Sequence, residues 1–276
     1  MEEAIHEFRK ELETLGYCKS VVNNYPKYVK HFLEFSQERT SKITDTQIKL
    51  YQNHLQQKPS KTKDKSLSES HVHSQLLAIK MYFGYLERTH KINTNPFTLK
   101  LKSPKNEIKN ILTQEQIQIL YSHCQIQEEK MILHLCYGCG LRRSEAVSLS
   151  KNDINIEKKL LFIRNGKGKK RRVIPINEAI TADFKIFLES KINTEEISFL
   201  TNKQNNRMSG NTMYSFFKEL LKKTGIKNVS LHHLRHSIAT HLLENDMSIE
   251  MVRDFLGHSQ LSTTQIYTQI NNLKMK

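Results

Sequence analysis

The chain has 276 residues, 43 of them Lys or Arg against 28 Asp or Glu, which gives a net charge of +15 and a pI of about 9.5. That length accommodates two domains or one large one, and the cationic excess favours a polyanion as partner, because each phosphate neutralised releases condensed counterions. No apolar run approaches the roughly 18 to 20 residues a membrane helix needs, and the N-terminal MEEAIHEFRK is charged rather than signal-like, so a cytoplasmic protein with no membrane partner is expected.

Residues 1–90 read as an all-helical unit. Ile5, Phe8, Leu12 and Leu15 recur at helical spacing and stop at Gly16; further helices are predicted from Val21 to Phe35, Thr44 to Gln56 and Ser68 to Leu86. Pro26 sits inside the second pattern, so that helix is either kinked or begins at Pro26. The basic loop from Lys58 to Lys65 is open to two readings, a phosphate contact or a solvated connector. Residues 91–110 show no sustained period, contain Pro96 and Pro104, and are rich in Lys and Asn, the composition of an interdomain linker.

The second domain, 111–276, opens with the capping box Thr113-Gln-Glu-Gln116, followed by helical patterns from Ile117 to His123 and from Met131 to Tyr137. Cys136 and Cys139 have CxxC spacing, yet no second pair completes a zinc site, and the four cysteines are too few for a disulfide framework. Packing around a tight turn is therefore the expected role, with no metal bound. Gly138 and Gly140 end that helix, and a further helix is expected from Ser144 to Leu149. Arg142 would stand at its N-terminus, either meeting an anion there or pairing with a carboxylate. The apolar runs Leu160 to Ile163 and Val173 to Ile176 flank Arg164-Asn-Gly-Lys-Gly-Lys-Lys-Arg-Arg172, a hairpin signal with a densely cationic tip. Mutual repulsion favours a phosphate-seeking tip, and Lys167 lies between two glycines that let it approach a backbone closely. Helices from Asn177 to Lys191 and Asn211 to Thr224 follow. A pattern capped by Ser230 then sets His232 and Arg235 three positions apart on one face; another runs from Ser248 to Gly257, just before His258; and a Ser262 capping box precedes Tyr267.

Together these residues have a chemical logic. A phosphodiester attacked by an oxygen nucleophile gathers negative charge on its non-bridging oxygens, and two guanidiniums, Arg142 and Arg235, can clamp them. A Tyr267 hydroxyl attacks poorly at neutral pH unless a base or nearby cations help remove its proton. His232 is the candidate base, His258 a further donor to the phosphate, and Lys167 the candidate acid for the leaving 5′ oxygen. His236 and His241, on an otherwise apolar face, are assigned to packing.

Five boxes, Cys139-Gly-Leu-Arg142-Arg-Ser-Glu145, Gly166-Lys167-Gly168, His232-His-Leu-Arg235-His236, Leu256-Gly-His258 and Leu261-Ser-Thr-Thr-Gln-Ile-Tyr267, closely resemble in order and spacing the active-site boxes of tyrosine recombinases, especially the bacterial Xer type. The resemblance implies a mainly α fold with a small β-hairpin in the C-terminal domain and two domains forming a C-shaped clamp around DNA. Residues 1–90 would be the SAM-like core-binding domain, 91–110 the linker and 111–276 the catalytic domain. It further implies cleavage of a specific double-stranded DNA site through a 3′-phosphotyrosyl link without metal, ATP or other cofactor, by a tetramer on two sites built from one chain or with a paralogue, in the bacterial cytoplasm or nucleoid. Arg142, Lys167, His232, Arg235, His258 and Tyr267 match the six catalytic positions, Glu145 would orient them, and Arg143, Lys169, Lys170, Arg171 and Arg172 would contact DNA. Only Thr268 to Lys276 follows Tyr267, where the family commonly ends in a helix docking on a neighbouring protomer; either that exchange is lost or the short tail performs it in reduced form. The absence of an arm-binding domain before Met1 fits Xer-like or transposon-type systems. A type IB topoisomerase and a non-catalytic site-specific DNA-binding protein are the competing readings. The first is separated by relaxation of any supercoiled plasmid, and the second is disfavoured by an intact nucleophile.

Overall fold

The computed structural model describes residues 2–59, 66–102, 110–164, 171–191 and 196–257, and the chain divides into two compact units, Met1–Asn106 and Glu107–Lys276. Among the described residues no helix is long and apolar enough to cross a membrane.

The first unit is built on four helices: α1 (Glu2–Thr14), α2 (Lys19–Ser36), α3 (Asp45–Gln57) and α4 (Glu69–Arg88). Their apolar stripes converge on Phe8, Leu12, Val29, Phe32, Leu33, Ile48, Tyr51, Ile79, Tyr82 and Phe83, all buried. Aromatic edges lock the centre: Phe8 meets Tyr82 with ring centroids 5.3 Å apart, and Phe32 meets Tyr51 at 5.2 Å, both T-shaped. Burial pushes the Tyr51 hydroxyl up to about 12, and it donates instead to Gln75 Oε1 at 3.2 Å. The second helix does not begin at Pro26. It starts at Lys19 and runs through Pro26, which is buried within it. Proline removes one N–H donor and its ring crowds the carbonyl of Val22, a cost that the buried apolar face of Val22, Val29, Phe32 and Leu33 outweighs. The expected linker also needs correction at its start, because Ile92, Phe97, Leu99 and Leu101 pack against this core. Alternate apolar residues in an extended chain share one face, a period-two signal too short to stand out between Lys and Asn. Residues 60–65 of the basic loop and 103–109 of the linker lie outside the described residues.

The second unit carries α5 (Gln114–Ser122), α6 (Gln127–Leu133), α7 (Arg143–Ser148), α8 (Glu178–Glu189), α9 (Gly210–Thr224), α10 (Leu231–Glu244) and α11 (Ile249–Leu256). A three-stranded antiparallel sheet, β1 (Ile154–Asn155), β2 (Leu160–Ile163) and β3 (Arg172–Pro175), pairs Leu161 with Ile174 and Ile163 with Arg172. Its core gathers Leu133, Leu135, Leu141, Leu161, Ile174, Phe184, Phe199, Phe217 and Leu234. Side chains cap the helices as the residue pattern requires: Thr113 accepts from Gln116 N at 3.2 Å, Asn177 from Ile180 N at 2.9 Å, and Ser209 from Thr212 N at 3.0 Å. A polar chain ties α5, α6 and α8 together, with Tyr121 Oη 3.0 Å from His134 Nδ1 and both His134 and Lys130 2.8 Å from Asp183. After α6 the backbone widens into a π-helical turn, His134–Gly138, which brings Cys136 and Cys139 into the core. Burial pushes both thiols up to about 12, so neither is a thiolate at neutral pH.

Truncating a centre of the first core tests this account. Phe32→Ala is expected to cost about 3–5 kcal/mol of unfolding free energy. Amide hydrogen exchange should show the loss across α1 to α4 and leave the protection of α9 and α10 unchanged.

Candidate active site

The site is organised by a carboxylate. Glu145, in the first turn of α7, is 2% exposed. A carboxylate taken out of water must be paired and hydrogen-bonded in every direction. Its Oε2 accepts from the backbone N–H of Arg142 at 2.9 Å, closing the start of α7, and its Oε1 accepts from Arg142 Nη1 at 2.8 Å. Arg172 approaches from β3 and donates to both oxygens, Nη1 to Oε1 at 3.1 Å and Nη2 to Oε2 at 2.9 Å. Arg235, from α10, brings Nη1 to 3.6 Å from Oε2. Three guanidiniums thus surround one carboxylate among the described residues, leaving two positive charges in excess. Burial alone would raise the Glu145 pKa; the hydrogen bonds and charge of Arg172, with those of Arg142, overcome it and hold the carboxyl at about 2.

Arg235 is 1% exposed. Its Nη1 also donates to Gly140 O and its Nη2 to Leu256 O at 2.6 Å, so one side chain ties the Cys139 to Leu141 turn and the end of α11 to α10. Gly140 has φ +60°, and a Cβ there would stand 2.8 Å from Leu256 Cδ2. Only glycine adopts that backbone freely and leaves α11 room to close. Arg142 keeps 20% of its side chain exposed, and its Nη2 reaches Gly257 O at 3.4 Å. His232 lies on the exposed side of α10, its ring centroid 4.3 Å from that of buried His236 in an edge-to-face contact. His241 is buried, with Nδ1 2.9 Å from Tyr137 Oη. The neighbour His233 takes part in the cap of α10, where Ser230 N donates to its Nδ1 at 2.9 Å.

Of the residues singled out from sequence, Arg142, Glu145 and Arg235 are brought together, and His232 stands one turn from His236 on the same helix as Arg235. Arg143 and Arg171 are exposed. Lys167, Lys169, Lys170, His258 and Tyr267 lie outside the described residues. Arg172 requires correction: it is the first residue of β3 and turns inward, with 10% of its side chain exposed and its donors engaged by Glu145 and, through Nε at 3.0 Å, by Phe255 O. Strand alternation carries the signal that reveals this, because Arg172 and buried Ile174 share one face of β3 while Val173 is exposed. Arg142 also departs from the simple helix-terminus reading, since the N–H at the start of α7 is taken by Glu145 rather than left for an anion.

Chemically, the arrangement is a preformed, largely buried cationic cluster. The guanidiniums are held close together by a carboxylate that cannot neutralise them all, and an added anion carrying planar pairs of oxygens, such as a phosphate, complements the excess.

Residues 110–274 match the Phage integrase family, and residues 5–92 match the Phage integrase, N-terminal SAM-like domain. The tyrosine recombinase XerA of Pyrococcus furiosus is 34% identical over 281 residues, covering 99% of this chain and 92% of the relative. The XerA of Pyrococcus horikoshii is 31% identical over 276 residues, covering 99% and 90%. Among solved structures, the Tn1549 transposon integrase in complex with transposon right end DNA superposes with a TM-score of 0.75 at 18% identity, over 96% of this chain and 94% of that one.

The depressed Glu145 pKa has a stability consequence whose sign is fixed. A folded value of about 2 against 4.5 contributes about 3 kcal/mol above pH 4.5, lost as pH falls from there towards 2. In urea unfolding followed by circular dichroism, Glu145→Gln should be less stable than the unmodified chain by about that amount at pH 7. The gap should begin to narrow below pH 4.5.

Proposed function

The chain belongs to the phage integrase family and is an Xer-like tyrosine recombinase that acts in site-specific DNA recombination, and we propose that Arg142, Lys167, His232, Arg235, His258 and Tyr267 are its catalytic residues. The observation that carries this reading is the placement of two arginines distant in sequence, Arg142 and Arg235, on one buried carboxylate, that of Glu145. A phosphodiester gains charge on its non-bridging oxygens as the attacking oxygen approaches, and guanidiniums already fixed in place need no reorganisation to receive it. Arg142 and Arg235 supply that stabilisation. His232, exposed and backed by His236, takes or shares the proton of the nucleophile, and His258 donates to the phosphate.

Tyr267 attacks the phosphorus to form a 3′-phosphotyrosyl bond as the bond to the 5′ oxygen breaks. Lys167 hands its proton to that leaving oxygen, giving a free 5′-hydroxyl. The 5′-hydroxyl of a partner strand then attacks the phosphotyrosine, and the tyrosine leaves. One phosphodiester replaces another, so the exchange balances without ATP or a metal-borne nucleophile. Glu145 orients the guanidiniums, and Arg143, Arg171, Lys169 and Lys170 contact the DNA backbone, where cations fix register without reading sequence. The SAM-like unit holds the site-bearing duplex as the core-binding domain. Recombination joins two sites, each occupied by two protomers, so the working assembly is a tetramer on double-stranded DNA in the cytoplasm or nucleoid, made of this chain alone or with a paralogue.

Covalent capture tests the reading. Incubated without Mg²⁺ on a nicked duplex bearing its site, the protein should form a detergent-resistant DNA adduct. Tyr267→Phe should form none, and Arg142→Ala should form it roughly 10²–10³-fold more slowly. An undiminished adduct with Tyr267→Phe removes that residue as nucleophile. Lys167→Ala should slow cleavage strongly on ordinary DNA and far less on DNA with a 5′-thiol leaving group, which needs no proton donor; equal losses on both would remove Lys167 from the acid role.

A further inference from the structure

The side chain that does most to hold Glu145 in place is not among the six residues assigned to catalysis. Arg172 meets the carboxylate edge-on with two parallel N–H to oxygen contacts, at 3.1 and 2.9 Å, while its third nitrogen donates to Phe255 O at 3.0 Å. Each of its nitrogens makes a hydrogen bond inside the protein. The backbone at Gly257 passes directly over it: φ there is +66°, and a Cβ would stand 2.9 Å from Arg172 Cδ. Arg172 is therefore a layer between Glu145 on one side and the end of α11 on the other. It also begins β3, the strand that follows the Lys167 segment, and the chain beyond Gly257 continues to His258.

We infer that Arg172 is a positioning residue for strand cleavage, which, through both oxygens of Glu145, sets where Arg142 and Arg235 receive the scissile phosphate and couples that placement to the end of α11. The inference rests on the roles proposed for Arg142 and Arg235. Its physical basis is the planar fork. A lysine at 172 keeps the positive charge but offers one point contact, and it cannot span two carboxylate oxygens and a carbonyl together. With the fork gone, Glu145 loses the stronger of its two close partners, and Arg142 loses the fixed carboxylate against which it is held. Supporting partners of this kind typically change activity by roughly 10–100-fold without touching the reacting atoms.

The test compares the unmodified chain with Arg172→Lys, Arg172→Ala, Arg142→Ala and the double variant Arg172→Ala/Arg142→Ala. The probe is a nicked duplex bearing the sequence that the unmodified chain captures covalently from a random-sequence pool. Arg172→Lys should bind this duplex with nearly unchanged affinity and salt dependence, and melt within a few degrees of the unmodified chain, yet cleave roughly 10–100-fold more slowly in a single turnover. Added guanidinium ion should restore part of the rate to Arg172→Ala, and the acid limb of its pH–rate profile should move to higher pH as Glu145 loses a partner. In the Arg142→Ala background the further change Arg172→Ala should cost little, because both act through one carboxylate. Cleavage by Arg172→Lys at the unmodified rate, independent and multiplying losses in the double variant, or a loss expressed as weaker DNA binding with a shallower salt slope would each overturn the inference. Unchanged cleavage by Arg142→Ala alone would instead overturn the underlying assignment of Arg142, and no capture by the unmodified chain would overturn both.

Discussion

A single buried carboxylate constrains the second unit more than any other group. Glu145 cannot sit out of water as an ion unless its oxygens are met from all sides, and the groups that meet them come from the start of α7, from β3 and from α10. Local choices elsewhere follow from that demand. Gly140 keeps its side-chain space empty so that Arg235 can reach both its carbonyl and that of Leu256, and Gly257 leaves space for Arg172. The sheet is small, but it carries β3, and β3 delivers Arg172.

On the roles proposed for Arg142 and Arg235, the same arrangement turns a structural ion pair into a reactive site. Three guanidiniums around one carboxylate are over-charged, and the surplus cannot be relieved by the protein groups that hold them. On the proposed roles, a phosphate whose charge grew as its ester bond broke would meet this surplus when it is most favourable, among buried side chains that solvent screens little. The division of work follows from exposure. Arg172, bidentate on Glu145, braces; Arg142, the most exposed of the three, faces outward; and Arg235 is buried between the turn at Gly140 and the end of α11. Membership of the phage integrase family is consistent with this chemistry, and the two family matches fall one on each compact unit.

Much of the fold was legible because it is local. The spacing of Phe8 and Leu12, the caps at Thr113 and Ser230, and the paired apolar runs of the hairpin each lie within one helix turn or one strand pair. What escaped depends on partners elsewhere. Pro26 is overridden by the packing of Val29, Phe32 and Leu33, and Phe97, Leu99 and Leu101 look like linker until the first core is there to receive them. The two-residue β1 exists by virtue of pairing with β2, and the π-helical turn at His134 has no spacing signal of its own. At the site, Arg142 and Arg235 were singled out from residue types and resemblance, but their shared carboxylate is a tertiary fact. Arg172 was grouped with the cationic turn because charge outweighed alternation in that reading; the inward face it shares with Ile174 decides otherwise.

The central claim is that Glu145 holds the guanidiniums in their places before any DNA arrives. A crystal structure of the Glu145→Gln chain without DNA tests it most directly. The neutral amide keeps the shape but presents one acceptor oxygen and removes the charge that offsets the arginines' mutual repulsion. Arg142 should then leave its contact with position 145 and turn toward solvent, with the bidentate contact of Arg172 broken. If Arg142, Arg172 and Arg235 are found undisplaced around the glutamine, the carboxylate is not what positions them, and the account fails.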